Sequence, residues 1–403
     1  MLNVYLLSGE EGLERYVVHL LELAGLSVNR REPPQLLLLL EPKKIDQRIL
    51  KGVSSNVSPE TPVLCIGTVR KITGVSHFKK IAYLKRPFLT EKFYEVLEEI
   101  LGQRLSLNPE ERKNPFLGED EKIERLRKAI PFLAKIPNPI FLEGEPGTGK
   151  ELYAHHLHAW IGGPFVKFAA SALPEEMIEP LLFGFGPKVI KEIKRPKEGA
   201  LSRARNGVLY LEGLEHLPIS AQQKLLYFLD TGSFFPLGIH EPLSPTLKLI
   251  VSVNTSPGQL IKEEKLLPSL YFRLAEFSAH LPPLRRKFID LPLLVEHFLE
   301  NYGALYRQPY RPPSRELLEK FLLYPWPKNV LELEMVVKDL ILFGQEKIAE
   351  EIFRRRERLP ISLRKLEEEL ERRLEEILQE DNLRALQTES SRKGRGGHRT
   401  ESQ

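Results

Sequence analysis

Apolar and polar positions alternate in blocks along the first hundred residues. Asn3–Leu7 (NVYLL), Leu36–Leu40 (LLLLL) and Pro62–Ile66 (PVLCI) are short apolar runs. Runs of that length suit parallel strands buried on both faces. Between them, LERYVVHLLELAG carries apolar residues at helical spacing and stops at Gly25. FLTEKFYEVLEEILG repeats the pattern and stops at Gly102. Glycine often ends a helix because it takes the left-handed backbone without a Cβ clash. This alternation predicts a small doubly wound α/β sheet over residues 1–103. Residues 104–120 are polar and punctuated by Pro and Gly, as a linker would be. Strand and helix patterns alternate again over 121–284, and 285–350 reads as helices broken by YPWPKN. A charged helix is expected over 351–387, with Leu366, Leu370, Leu374, Ile377 and Leu378 on one stripe. The basic, Gly-rich tail 388–403 is expected not to fold by itself.

Length and composition narrow this picture. A chain of 403 residues favours two or three domains. No apolar run is longer than that of Leu36–Leu40, far too short to span a bilayer, and the N-terminus shows no signal pattern. A cytoplasmic location without membrane contact is therefore expected. Cys65 is the single cysteine, which excludes an intrachain disulfide framework and a Cys-rich metal site. A net charge of +4 is too mild to argue for nucleic-acid binding.

The most informative stretch is Gly144-Glu145-Pro146-Gly147-Thr148-Gly149-Lys150, between the apolar IFL and the helical ELYAHHLHAW. Strand, glycine-rich loop and helix in that order make a phosphate cradle. Backbone N–H groups curl around phosphate oxygens, Lys150 adds a positive charge, and the helix N-terminus adds its dipole. Residues 144–151 are thus expected to bind ATP or ADP. The residue after the lysine is Glu151, where a Ser or Thr commonly binds magnesium.

GEPGTGKEL, ALPEEM, LLFG, QQKLLYFLDTGSFFPLG, LYFRLAEF, LPPLRRKFIDLPLLVEHFL and YPWPKNVLELEMVV follow one another in order. Over residues 117–347 they resemble the central AAA+ domain of bacterial sigma-54-dependent transcription activators. The residues before them resemble, more weakly, that family's response-regulator receiver domain. The fold expected is a receiver-like doubly wound α/β sheet followed by an AAA+ P-loop domain with a helical lid. A Glu after the loop lysine is usual in this family, so Glu151 is no defect.

Several working parts that the resemblance implies are missing. The family's Walker B strand ends in Asp-Glu; here it ends in Glu212-Gly213. Glu212 remains a candidate magnesium contact through water, but Gly213 has no side chain to act as a base. A positioned base contributes about a hundred- to ten-thousand-fold in rate. Glu215 lies three residues beyond Glu212 and is not expected to face the same phosphate. The asparagine that the family pairs with the missing Glu is Ala169. The GAFTGA loop that meets sigma-54 falls on Lys188–Ile193, where no residue of the signature remains. Of two family arginines, Arg273 persists and Leu267 replaces the other; Leu331 takes the place of the sensor II arginine. The sensor I residue Asn254 is kept.

At the receiver-like end, Ser8-Gly9-Glu10-Glu11 follows the first strand, and Glu41 stands where a phosphoacceptor Asp belongs. Lys85 or Arg86 precedes Pro87 in place of the family's Lys-Pro. A receiver-like fold kept for interaction is expected. No helix-turn-helix pattern follows Leu363, which argues against enhancer DNA binding. His155, His156 and His158 are expected to pack or face solvent, and Trp326 to be core.

The expectation is an ATP- or ADP-binding protein of this family, with magnesium as a further candidate, that hydrolyses slowly or not at all. No catalytic set is intact; Glu212, Asn254 and Arg273 are the candidates, so its standing as an enzyme stays open. Expected partners are proteins: a homo- or hetero-oligomeric ring, sigma-54 or another activator. An active ATPase activator and a module that binds no nucleotide remain as alternatives.

Overall fold

The computed structural model describes residues 3–28, 34–42, 57–68, 75–187 and 196–345, with a few positions at 45–53, 347, 348 and 354. The expected charged helix, apart from Arg354, the tail and Lys188–Ile193 lie outside the described residues.

The first sheet has five parallel strands: β1 (Asn3–Ser8), β2 (Ser27–Val28), β3 (Leu36–Leu40), β4 (Val63–Gly67) and β5 (Ile81–Lys85). Their order is β2-β1-β3-β4-β5, the flavodoxin-like winding. The central β3 explains its own sequence. Its five leucines are fully buried; Leu36, Leu38 and Leu40 join one apolar cluster and Leu37 and Leu39 another. Side chains alternate across a strand, so an unbroken leucine run serves a sheet covered on both faces. β5 is an edge strand with half-exposed positions, which hides it from an apolar-run search. The helices Glu11–Leu23 and Thr90–Leu101 end as their glycines foretell: Gly25 and Gly102 sit at φ 73° and 69°.

The segment after Gly102 is more ordered than a bare linker. Asn108 and Glu111 form a reciprocal cap on a short helix, Pro109–Lys113, with bonds of 2.8 and 2.9 Å.

The second sheet is also parallel, in the order β12-β6-β11-β10-β7. Its strands are β6 (Ile140–Glu143), β7 (Phe165–Ala169), β10 (Val208–Glu212), β11 (Lys248–Val253) and β12 (Ser278–His280). A short antiparallel pair, β8 (Gly184–Phe185) and β9 (Lys197–Glu198), branches off beside it. Three helices complete the lid: Leu291–Leu305, Arg315–Leu323 and Asn329–Phe343. Trp326 is buried at its heart and donates from Nε1 to Phe321 O at 2.8 Å.

The first sheet is not a separate bead. Leu13, Tyr16, Val17 and Leu20 of the first helix share one apolar cluster with Leu294, Val295, Phe298 and Leu299 of the lid. Full burial of each such side chain contributes roughly 1.5–3 kcal/mol. Polar groups cross the same seam. Tyr16 Oη lies 2.9 Å from Thr90 Oγ1 and 3.1 Å from His297 Nδ1, and Thr90 N donates to Asn301 Oδ1 at 3.1 Å. The lid is therefore held between the first sheet and the phosphate-loop sheet.

Candidate functional site

Three chain segments leave the carboxyl ends of neighbouring strands at one place: the glycine loop after β6, Glu212 at the end of β10, and Asn254 after β11. Ligand sites in open parallel sheets form at such ends. The loop turns on Gly147 and Gly149, at φ 76° and 101°, where side chains are strained. Gly147 also makes room for the lid: a Cβ there would lie 2.1 Å from Lys328 O. The helix Lys150–Ile161 starts directly from the loop. Thr148 Oγ1 donates to Glu145 O at 2.9 Å and braces the turn.

Lys150 folds back over the loop. Its Nζ donates to Gly144 O, Glu145 O and Asn254 Oδ1 at 2.6, 2.9 and 2.9 Å. Burial pushes its pKa down to about 8, opposed by Glu215, Glu212 and Glu145. An anion beside the ammonium would favour its charged form.

The lid reaches the same loop. Arg285 Nη1 donates to Glu145 Oε2 at 2.7 Å, Asn329 Nδ2 to Pro146 O at 3.0 Å, and Val330 N to Gly147 O at 3.0 Å. Arg285 and Asn329 did not figure among the sequence candidates. Their signal was weak: an arginine just past β12 and an asparagine at a helix start, both ordinary in isolation. Leu331, half-exposed, follows them over the loop and offers no donor.

Glu215 lies beside Asn254: its Oε1 accepts from Asn254 N and Nδ2, both at 3.1 Å. Gly213 takes the left-handed conformation, φ 77°, and the tight turn Leu214–His216 brings the chain back. The other oxygen, Oε2, is buried without a hydrogen-bond partner among the described residues.

Glu212 does not face the loop alone. Lys167 on β7 places its Nζ 3.0 Å from Glu212 Oε2 and 2.6 Å from Glu151 Oε2. Magnesium requires near-octahedral oxygens at about 2.0–2.1 Å. An ammonium already lies between these two carboxylates, so the residues as arranged do not present the pair to magnesium. Among the described residues, no group of three or more His, Cys, Asp and Glu is set to hold a metal.

Arg273 stands apart from this cluster. Its Nε pairs with Asp230 at 3.3 Å and its Nη2 donates to Leu229 O at 3.2 Å. The histidines after the loop serve packing: His156 Nε2 lies 2.8 Å from Asn114 O, and His155 stacks on Phe165 at 4.1 Å.

A second polar cluster fills the receiver-like pocket. Arg86, not Lys85, turns inward and is fully buried. It reaches Glu10 at 3.0 Å and Glu41 at 3.3 Å on its own sheet, and Glu296 and Glu300 on the lid. The Tyr310 ring covers the guanidinium with its centroid 3.6 Å from Cζ. Glu41 is thus buried against an arginine at the place where a phosphoacceptor would stand.

Fold and loop together define an AAA+ P-loop protein with a helical lid. Residues 116–280 match the family model described as the Sigma-54 interaction domain, and 285–372 match the AAA+ ATPase lid domain. The chain belongs to the family of sigma-54-dependent activators. The DNA-binding transcriptional regulator NtrC of Azospirillum brasilense is 29% identical over 277 residues, 66% of this chain and 57% of that relative. Regulatory protein LuxO of Vibrio cholerae is 28% identical over 331 residues, 79% of this chain and 72% of its own. NtrX from Brucella abortus, solved in complex with ATP, has the same fold, with a TM-score of 0.53 and 23% identity over 86% of this chain and 84% of that one. The expectation against DNA binding finds no support here: the first relative is a DNA-binding regulator by name, and the C-terminal residues on which it rests lie outside the described ones. Among the described residues, no helix is long and apolar enough to cross a membrane.

Proposed function

We propose that this chain binds ATP or ADP through residues 144–151 and turns it over slowly or not at all. It acts in transcription regulation through protein contacts, as an inert or antagonistic subunit beside an active relative in a ring, or as a nucleotide-dependent scaffold. One contrast carries the reading. The strand-loop-helix with left-handed Gly147 and Gly149 and Lys150 lying over the loop supports nucleotide binding. The position that should carry the base is Gly213, and the neighbouring Glu212 is taken up by Lys167. Calorimetric titration with ATP, beside a turnover assay of wild type and Lys150→Ala, tests it. Binding that depends on Lys150, with no Lys150-dependent hydrolysis, is expected; appreciable Lys150-dependent hydrolysis refutes it.

A second reading has its own observation. Glu215 sits under Asn254 with one buried oxygen unpartnered, next to the loop lysine. An active ATPase would use that carboxylate in place of the missing one. Hydrolysis that falls a hundredfold in Glu215→Gln, within the range for a lost general base, would favour it.

A further inference from the structure

Lys167 lies on the edge strand β7, opposite Tyr210 of β10 in a parallel register that sets Ala169 opposite Glu212. Side chains two apart on a strand share a face, so Lys167 and Glu212 project from the same side of the sheet. Glu151 opens the helix after the loop and reaches the same point from above. Two carboxylates from different elements converge there on one ammonium, at 2.6 and 3.0 Å. Without it, two like charges would face each other beside a loop that receives a polyphosphate.

Both carboxylates also flank the loop lysine. Glu151 follows Lys150 directly, and the Glu212 charge is felt at Lys150. The Lys167 ammonium therefore stands at the edge of the phosphate cradle. An ammonium has three N–H donors, of which these carboxylates take two. Lys167 keeps its charge: burial lowers its pKa, but hydrogen bonds to Glu151 and then Glu212 outweigh it, for a net rise. Its side chain is 38% exposed, so a ligand can reach it.

We propose that Lys167 is a built-in cation that takes the part of a divalent metal ion in this site, so that a nucleoside di- or triphosphate binds without magnesium. The inference rests on the nucleotide-binding reading above and narrows it. A lysine is a fixed single charge that does not exchange and cannot coordinate a water as a Lewis acid. It can neutralise phosphate oxygens, but it cannot bridge them as a dication does, which agrees with binding that outlasts turnover.

The test is calorimetric titration of the full chain with ATP in excess EDTA and in excess MgCl2. Wild type is expected to bind equally in the two buffers, within about threefold, or under 1 kcal/mol. Lys167→Ala is expected to lose about tenfold or more in EDTA, with magnesium restoring part of it. Lys167→Arg, which keeps the charge, should remain insensitive to EDTA, and it answers the concern that loss of the lysine merely unsettles the edge strand. A wild-type affinity that falls tenfold in EDTA overturns the inference and leaves the nucleotide reading standing. So does a Lys167→Ala variant as insensitive to EDTA as wild type. Absence of binding in both buffers defeats the two together.

Discussion

Arg86 and Glu300 are hydrogen-bonded to each other with both side chains fully buried, one on the first sheet and the other on the lid. The pair binds two parts of the molecule that lie more than 200 positions apart in sequence. Glu10, Glu41 and Glu296 surround the same guanidinium. Arg86→Met should leave four acidic side chains, Glu10, Glu41, Glu296 and Glu300, around an uncharged one. Removing one partner of a buried ion pair costs about 3–5 kcal/mol. Urea unfolding followed by intrinsic fluorescence should show a loss of that order. A loss below about 1 kcal/mol, the size of a surface pair, would mean that the cluster does not hold the two parts together.

The same cluster predicts a pH effect. Burial raises the Glu300 pKa to about 8, with Arg86 opposing and Glu296 adding to the rise. The folded state thus holds a proton that the unfolded chain releases near pH 4.5. Stability from this group is complete below that value and is lost as pH rises through about 8. The melting temperature of wild type should fall more steeply between pH 6 and pH 9 than that of Glu300→Gln, which cannot ionise. Parallel curves would show that Glu300 does not titrate in that window.

The lid rests on the loop through a glycine. Gly147→Ala would put a Cβ 2.1 Å from Lys328 O at φ 76°. Strain of this kind costs on the order of 1–3 kcal/mol. Lower thermal stability and weaker nucleotide binding are expected together. Unchanged values for both would place the lid elsewhere in solution.

Placing an acid at Gly213 should not raise ATP turnover. Gly213 sits at φ 77°, and a Cβ there would meet His216 Cδ2 at 3.0 Å. A left-handed residue with a side chain costs roughly 1–2 kcal/mol. Gly213→Glu should therefore be destabilised and show no gain in ATP turnover. A tenfold gain would show that the backbone readily accepts the ordinary arrangement.

Much of this was legible in sequence because the signals were local. LLLLL must be a strand covered on both faces, and Gly25 and Gly102 mark helix ends. The loop announces itself because its glycines and Lys150 lie side by side. Pairings between distant residues were not legible. Arg86 meets Glu296 and Glu300 only when the lid docks on the first sheet. Lys167 looks like an ordinary edge-strand lysine until Glu151 and Glu212 close on it. The contact of Glu215 with Asn254 was not legible either, because spacing along a strand does not foresee the left-handed turn at Gly213.

The fate of bound ATP tests retention without turnover most directly. The protein is loaded with ATP, freed of excess, held for an hour, then denatured, and the released nucleotide is separated by anion-exchange chromatography. Recovery of ATP undegraded, in equal amount from wild type and Glu215→Gln, is the predicted result. Conversion to ADP in wild type that disappears in Glu215→Gln would contradict it and establish a working ATPase.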